Sequence, residues 1–208
     1  MSTIIDILKK THALLENSHF VLTSGKHSPT YINKDALYIH TKEASKVGLM
    51  FAKKFKDDKI DVVAAPALGG IILSQWTAHH LSILKKKEVL AVYTEKTADK
   101  NQIFTRGYDT VVKNKNVLVI EDLTTTGGSV KKVVDSVRNA KGIVTCVGVM
   151  INRNTKEVNS SLFGAPFMAL GELETKNYEP NDCPLCKKTI PINTSVGHGK
   201  KYLEQTSH

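Results

Sequence analysis

The sequence predicts an α/β fold, a central, mostly parallel sheet flanked by helices. Three observations carry this expectation. Apolar runs at 60–65, 89–93, 117–120 and 143–151 are rich in β-branched residues and continuous rather than alternating, as strands covered on both faces are. Helical spacing fills most of the gaps between them, at 71–84 and 129–140. Strand–helix–strand alternation with right-handed crossovers then builds one sheet.

The remaining elements follow in chain order. Ile4, Ile5, Leu8, Ala13, Leu14 and Leu15 recur near the helical period, which predicts an amphipathic helix over 2–16. A loop with Gly, Ser and Pro occupies 23–29, and short strands are expected at 31–33 and 36–39. Val47, Met50, Phe51 and Phe55 share one side of a helix predicted over 43–56. Residues 94–116 are polar and charged with no good helix pattern, and a connection that long inside a compact domain is usually functional or disordered. Residues 155–208 mix short apolar pieces with Pro166, Pro180, Pro184 and Pro191, and read as a loop-rich cap with some strand and helix.

Composition narrows the class. A chain of 208 residues with 41% apolar and 24% charged residues can bury a core without disulfide staples. No apolar run approaches the roughly 18–20 residues of a membrane span, and Met1-Ser2-Thr3-Ile4-Ile5-Asp6 does not open a secretory signal. Three cysteines are too few for a disulfide framework, so the expectation is a reduced, cytoplasmic protein with no membrane partner. Lys+Arg 29 against Asp+Glu 20 leaves +9, which calls for an anionic partner. The basic residues are scattered (Lys53-Lys54, Lys85-Lys86-Lys87, Lys131-Lys132, Lys200-Lys201) and aromatics are 6%. That pattern disfavours nucleic acid and favours a small polyanionic substrate.

The chemistry concentrates at 117–129, Val-Leu-Val-Ile-Glu-Asp-Leu-Thr-Thr-Thr-Gly-Gly-Ser. A buried strand runs into Glu121 and Asp122, then a turn rich in hydroxyls and glycine, then a helix. Ligands of open α/β sheets bind at the carboxyl ends of strands. Thr124, Thr125, Thr126, Gly127, Gly128 and Ser129 offer hydroxyls and backbone N–H groups, and the helix start favours an anion by about 0.3–1 kcal/mol. This is a phosphate cradle, though neither a Walker A loop nor a dinucleotide fingerprint. Two carboxylates beside one phosphate suit a sugar phosphate: the phosphate in the turn, the ribose hydroxyls on Glu121 and Asp122, which also stabilise positive charge developing on the ring.

These residues resemble the signature of the type I phosphoribosyltransferases, which bind phosphoribosyl pyrophosphate (PRPP). Within them the closer resemblance is to the orotate phosphoribosyltransferase family. Residues 20–33, with Ser24-Gly25-Lys26-His27-Ser28-Pro29-Thr30-Tyr31, match that family's Ser-Gly-x-x-Ser-Pro-x-Tyr segment. Pro66-Ala67-Leu68-Gly69-Gly70 matches its pyrophosphate loop, and Arg153 falls where it places an arginine on orotate. Cys183-Pro184-Leu185-Cys186 resembles the C-terminal segment of some members.

The resemblance implies transfer of phosphoribosyl from PRPP to orotate, giving orotidine 5-phosphate in pyrimidine biosynthesis. It implies that Leu68 and Gly69 meet pyrophosphate, that Thr124 to Ser129 hold the 5-phosphate, and that Arg153 and Lys26 contact the orotate side. It implies Mg²⁺ held mainly by PRPP, with no protein ligand set for a metal. It also implies a homodimer with shared sites and a mobile catalytic loop at 94–116. There the family shows an Arg-Lys pair, then a Lys and a His, whereas this chain has Glu95-Lys96 and then Asp99-Lys100-Asn101. Lys96 matches the second member of the pair; Lys100 and Arg106 are the candidates to supply the remaining charge. The implied organisation is a single domain, a core over about 43–154 and a hood from about 1–42 and 155–208.

Two rivals remain at this level: a purine-base phosphoribosyltransferase, and a non-catalytic PRPP-sensing or RNA-binding regulator. Other conspicuous residues have plain readings. Cys183 and Cys186 supply only two of the four ligands a structural zinc needs, with Cys146 expected inside a strand and His198 downstream. His79 and His80 are adjacent and so do not share a helix face; Trp76 reads as core. His27 is divided between touching substrate and packing.

Overall fold

The computed structural model describes residues 2–206. Helix α1 (Ile4–Lys10) starts on a capping box: Thr3 Oγ1 accepts from Asp6 N–H at 3.2 Å, and Asp6 Oδ2 accepts from Thr3 N–H at 2.8 Å. It stops well short of residue 16. The Thr11 hydroxyl donates back to Ile7 O at 2.9 Å and His12 adopts a left-handed φ of 53°, so the chain leaves the helix. Leu14–Leu15 instead form strand β1. Strands β2 (Phe20–Val21) and β3 (His27–Ser28) pair antiparallel, as do β1 and β4 (Tyr31–Ile32). The strand expected at 36–39 is helix α2 (Lys34–Tyr38); an apolar run of four residues is too short to carry a period.

Next come α3 (Thr41–Lys54), β5 (Val62–Pro66), α4 (Gly69–Lys85), β6 (Leu90–Lys96), β7 (Gln102–Phe104), α5 (Tyr108–Val112) and β8 (Asn116–Thr124). Then follow α6 (Gly128–Asn139), β9 (Ile143–Asn152), α7 (Ser160–Phe163) and β10 (Phe167–Glu172). Six strands form one sheet in the order β10-β9-β8-β5-β6-β7, parallel throughout except for the β6–β7 pair. The expected α/β class and mostly parallel sheet are therefore present.

The interval 94–116 is not an unstructured connection. β6 runs on to Lys96, turns through Thr97–Asn101 (Lys100 N–H to Thr97 O, 2.9 Å; Thr97 N–H to Asn101 O, 3.0 Å) and returns as β7 before α5. Turn chemistry within a polar stretch had no apolar period to announce it. Residues 155–208 also divide. β10, which follows α7, joins the sheet, whereas a 3₁₀ turn (Pro180–Asp182), α8 (Pro184–Lys187) and α9 (Gly199–Thr206) do not. The described residues form two compact units, 2–37 with 174–206, and 38–173.

Within the sheet unit both faces are covered. Val62, Ala64, Val117, Val119, Val147 and Val149 pack with Val130, Val133, Val134 and Val137 of α6. A fully buried valine contributes about 1.5–3 kcal/mol, so this valine-rich contact is a principal source of stability. On the other face α3 lies so close that a Cβ on Gly148 of β9 would stand 2.8 Å from the Phe55 ring and 3.1 Å from the Phe51 ring. Trp76 of α4 is half-buried rather than core, stacked on His80, which bonds Ser45 Oγ at 2.9 Å. In the other unit the buried apolar residues include Ile4, Leu8, Phe20 and Leu37. Among the described residues no helix is long and apolar enough to cross a membrane.

Candidate active site

Strand order locates the site. From β5 the chain first adds β6 on one side, then crosses back to add β8 on the other, followed by β9 and β10. At such a reversal the crossovers leave on opposite faces and open a crevice beyond the carboxyl ends of the two strands, here β5 and β8. The pyrophosphate-type loop follows β5 and the acid–threonine–glycine segment ends β8, so the two motifs meet at this crevice.

β8 continues through the acids. Glu121 and Asp122 are 6% and 3% exposed, the last turns of a buried strand rather than loop residues. Each carboxylate is held locally: Glu121 Oε1 accepts from Asp122 N–H at 3.0 Å, and Asp122 Oδ1 from Leu123 N–H at 2.6 Å. Asp122 Oδ2 also accepts from the Tyr38 hydroxyl at 3.2 Å. Buried carboxylates placed this way are preorganised acceptors.

The cradle follows. Thr124 is buried and its Oγ1 accepts from Gly127 N–H at 3.0 Å, which folds the turn; Thr125, Thr126, Gly128 and Ser129 are exposed along it. Gly127 has φ 74°, and a Cβ there would collide with Leu162 Cδ2, so the turn needs glycine on both counts. α6 begins at Gly128, and the leading N–H groups of a helix have no partner inside it. Gly128 N–H also meets Thr126 Oγ1 at 3.4 Å, and the helix start as a whole favours an anion at the site.

The other anticipated residues fall as follows. Leu68 and Gly69 open α4 directly after β5, with Leu68 82% exposed and Ala67 N–H bonded to Thr94 O at 2.8 Å. Gly70 must lack a side chain, since a Cβ would stand 2.7 Å from that of Ala65. Arg153 follows β9, half-buried, and its N–H donates to Thr124 O at 2.8 Å, which ties it to the cradle strand. Lys96 and Lys100 are exposed, at the end of β6 and on the hairpin tip. Arg106 Nε donates to Glu95 Oε1 at 2.9 Å, and this pairing holds the Glu95 carboxyl below the usual carboxylate range. Lys26 lies in the other unit, ion-paired to Glu179 at 2.9 Å.

Sequence reasoning missed two residues. Tyr38 reaches Asp122 from 84 positions away, and no local signal marks it. Buried Asn152 donates from Nδ2 to Val158 O at 3.1 Å and shapes the loop that carries Arg153; its place at the carboxyl end of a strand was the available clue. A further cluster, His19, His27, Cys183 and Cys186, assembles in the other unit. His198 is not part of it; its Nε2 bonds Thr23 Oγ1 at 3.0 Å.

Residues 33–162 match the phosphoribosyl transferase domain model, a span from before α2 to within α7 that contains the whole cradle and the β5 loop. The orotate phosphoribosyltransferase of Thermotoga maritima is 39% identical over 196 residues, 94% of this chain and 98% of that protein. That of Caldanaerobacter subterraneus subsp. tengcongensis is 37% identical over 189 residues, 91% of this chain and 93% of that protein. The crystal structure of Mycobacterium tuberculosis H37Rv orotate phosphoribosyltransferase in complex with PRPP shares the fold with a TM-score of 0.63 at 20% identity, covering 82% of this chain and 94% of that one. The chain belongs to the phosphoribosyltransferases and, among them, to the orotate phosphoribosyltransferase family.

Proposed function

We propose that this protein transfers the 5-phosphoribosyl group of PRPP to orotate, releasing pyrophosphate and giving orotidine 5-phosphate. One observation carries the reading: a buried carboxylate pair and a Thr/Gly anion cradle end β8 at the point where strand order reverses. Glu121 and Asp122 hold the ribose hydroxyls, and Thr124 to Ser129 receive the 5-phosphate. Leu68 and Gly69 present backbone to the pyrophosphate. Arg153, whose planar guanidinium suits a carboxylate or carbonyl edge, orients the pyrimidine.

As the C1–pyrophosphate bond lengthens, the ring gains oxocarbenium character and the pyrimidine nitrogen attacks the opposite face, giving up its proton, which the departing pyrophosphate can accept. Preorganised carboxylates beneath the ring stabilise that charge without reorganisation. Lys96 and Lys100, on the hairpin tip, contribute charge to the departing pyrophosphate, and closing the tip excludes water that would otherwise hydrolyse PRPP.

The donor set at the crevice is all oxygen, carboxylate and hydroxyl, which suits a hard cation. Glu121 and Asp122 already accept hydrogen bonds, so Mg²⁺ held chiefly by substrate oxygens fits these residues better than a protein cage. Bound in that way, Mg²⁺ supplies charge neutralisation on pyrophosphate. A homodimer with shared sites and a cytoplasmic setting belong to the same proposal.

A spectroscopic assay of orotate consumption with PRPP and Mg²⁺ tests the reaction. Turnover of orotate, and not of uracil, hypoxanthine or xanthine, is the expected result. Combining Glu121→Gln with Asp122→Asn should abolish turnover; near-normal activity in that variant rejects the site.

A further inference from the structure

We propose that His19, His27, Cys183 and Cys186 form a structural zinc site that ties the two ends of the chain together. Their ligand atoms all lie within 4.8 Å of one another. His19, His27 and Cys183 are 1%, 0% and 0% exposed, whereas Cys186 is exposed. His19 Nε2 stands 2.8 Å from His27 Nδ1 and 3.8 Å from both sulfurs, and Cys186 Sγ is 3.3 Å from His27 Nδ1. A tetrahedron with Zn–N of about 2.0–2.1 Å and Zn–S of about 2.3 Å has edges of about 3.3–3.8 Å. Three of the nitrogen–sulfur separations already lie in that range. For an ion to sit between the four groups the two imidazoles part by about half an ångström, and the remaining ligand atoms, all within 4.8 Å of one another, close up by no more than about 1.5 Å.

The surrounding structure selects the ligand atoms. His19 Nδ1 lies 2.8 Å from Ile190 O, and a carbonyl can only accept. Nδ1 therefore carries the proton and Nε2 turns its lone pair into the cluster, the arrangement that usually orients a metal-bound histidine. His27 Nε2 is buried with no hydrogen-bond partner, so the polar engagement of that ring runs through Nδ1, inside the cluster.

Local folding brings the four residues together. His27 opens β3, which pairs with β2 immediately after His19, so two histidines eight positions apart face one point. Cys183 caps α8, Pro184 occupies its first turn, and Lys187 N–H bonds Cys183 O at 3.1 Å; this one-turn Cys-x-x-Cys aims both sulfurs to one side. The two halves are adjacent because His19 bridges Ile192 and His27 bridges Tyr178.

The unit has reason to need a metal. Its sheets are two pairs of two-residue strands, and it is built from chain ends more than 130 residues apart. Small units with such short ladders commonly rely on a metal for folding energy. Binding would also pin the segment of Lys26 and Ser28, which flank His27. The site needs nothing from the proposed transferase reaction and stands apart from it.

The test uses the full chain, produced untagged in zinc-supplemented medium and purified without chelator. Elemental analysis should find about one zinc per chain. The metal-stripped wild type should take up Co²⁺ with the visible absorption of a tetrahedral centre and a sulfur-to-cobalt charge-transfer band. Cys186→Ser should lose that band, while His198→Gln and Cys146→Ser keep it. Removal of zinc should lower the thermal midpoint, and Zn²⁺ should restore it. Wild-type protein that carries no zinc and gives no tetrahedral Co²⁺ spectrum overturns the proposal, as does a Cys183–Cys186 disulfide in its place. Both readouts use wild type, so a variant that fails to fold does not decide the matter, and orotate turnover is read separately.

Discussion

Asp122 shows how one residue combines local and distant determinants. Its position beside Glu121 and before three threonines was visible in the chain, and the chemistry of a ribose site followed from that adjacency. Its Tyr38 partner was invisible, because a hydroxyl 84 residues away leaves no spacing to read. Tyr38→Phe should lower kcat/KM for PRPP about tenfold, equivalent to ~1.4 kcal/mol for a hydrogen bond to a charged group, while the unfolding midpoint shifts little; steady-state kinetics with urea titration reads both. Asp61 is the matching case for stability. Its carboxylate accepts from Lys87 Nζ at 2.8 Å and from Asn116 N and Nδ2 at 3.0 and 2.9 Å, joining the starts of β5 and β8. These contacts, the Lys87 bond foremost, hold its pKa far below the usual carboxylate range. A depressed folded pKa contributes stability above the unfolded value of about 4, and that contribution is lost as pH falls toward the folded value. Asp61→Ala should therefore cost about 1–3 kcal/mol at pH 7. The gap between wild type and variant should close progressively in urea titrations below about pH 4.

At the level of elements, long buried strands and amphipathic helices announced themselves and short pieces did not. β5, β8 and β9 are apolar because both faces are covered, and α3, α4 and α6 keep the helical period because one side meets the sheet. α2, β7 and α5 are three to five residues long, and their conformations are set by turns and neighbours. The cradle is the instructive intermediate. Its composition was readable, but the constraint on Gly127 comes from a left-handed φ together with the Leu162 side chain 35 residues downstream. Gly127→Ala should destabilise the protein by about 2–4 kcal/mol in urea titration, from left-handed strain plus overpacking, and should weaken PRPP binding in calorimetry. Arg106 is exposed and Glu95 half-exposed, so Arg106→Ala should leave the unfolding midpoint nearly unchanged; a clear loss in urea titration would give the pair a structural role.

For the whole molecule, the proposed sharing of sites between two copies has a direct test. A variant lacking both loop lysines (Lys96→Ala with Lys100→Ala) and one lacking both acids (Glu121→Gln with Asp122→Asn) should each be inactive alone. If the loop serves the partner's site, mixed and re-equilibrated subunits should recover about one quarter of wild-type turnover, since half the dimers are mixed and each holds one intact site. If loop and acids serve the same subunit, mixing restores nothing. The chain order sufficed for the sheet class, the phosphate cradle and the acid pair, because each is written in neighbouring residues whose periods and chemistry are local. Three-dimensional folding alone chose the crevice between β5 and β8, brought Tyr38 to Asp122 and gathered two histidines from one end of the chain with two cysteines from the other. Those contacts join residues far apart in the chain, and loop closure over such distances leaves no periodicity for a sequence to display.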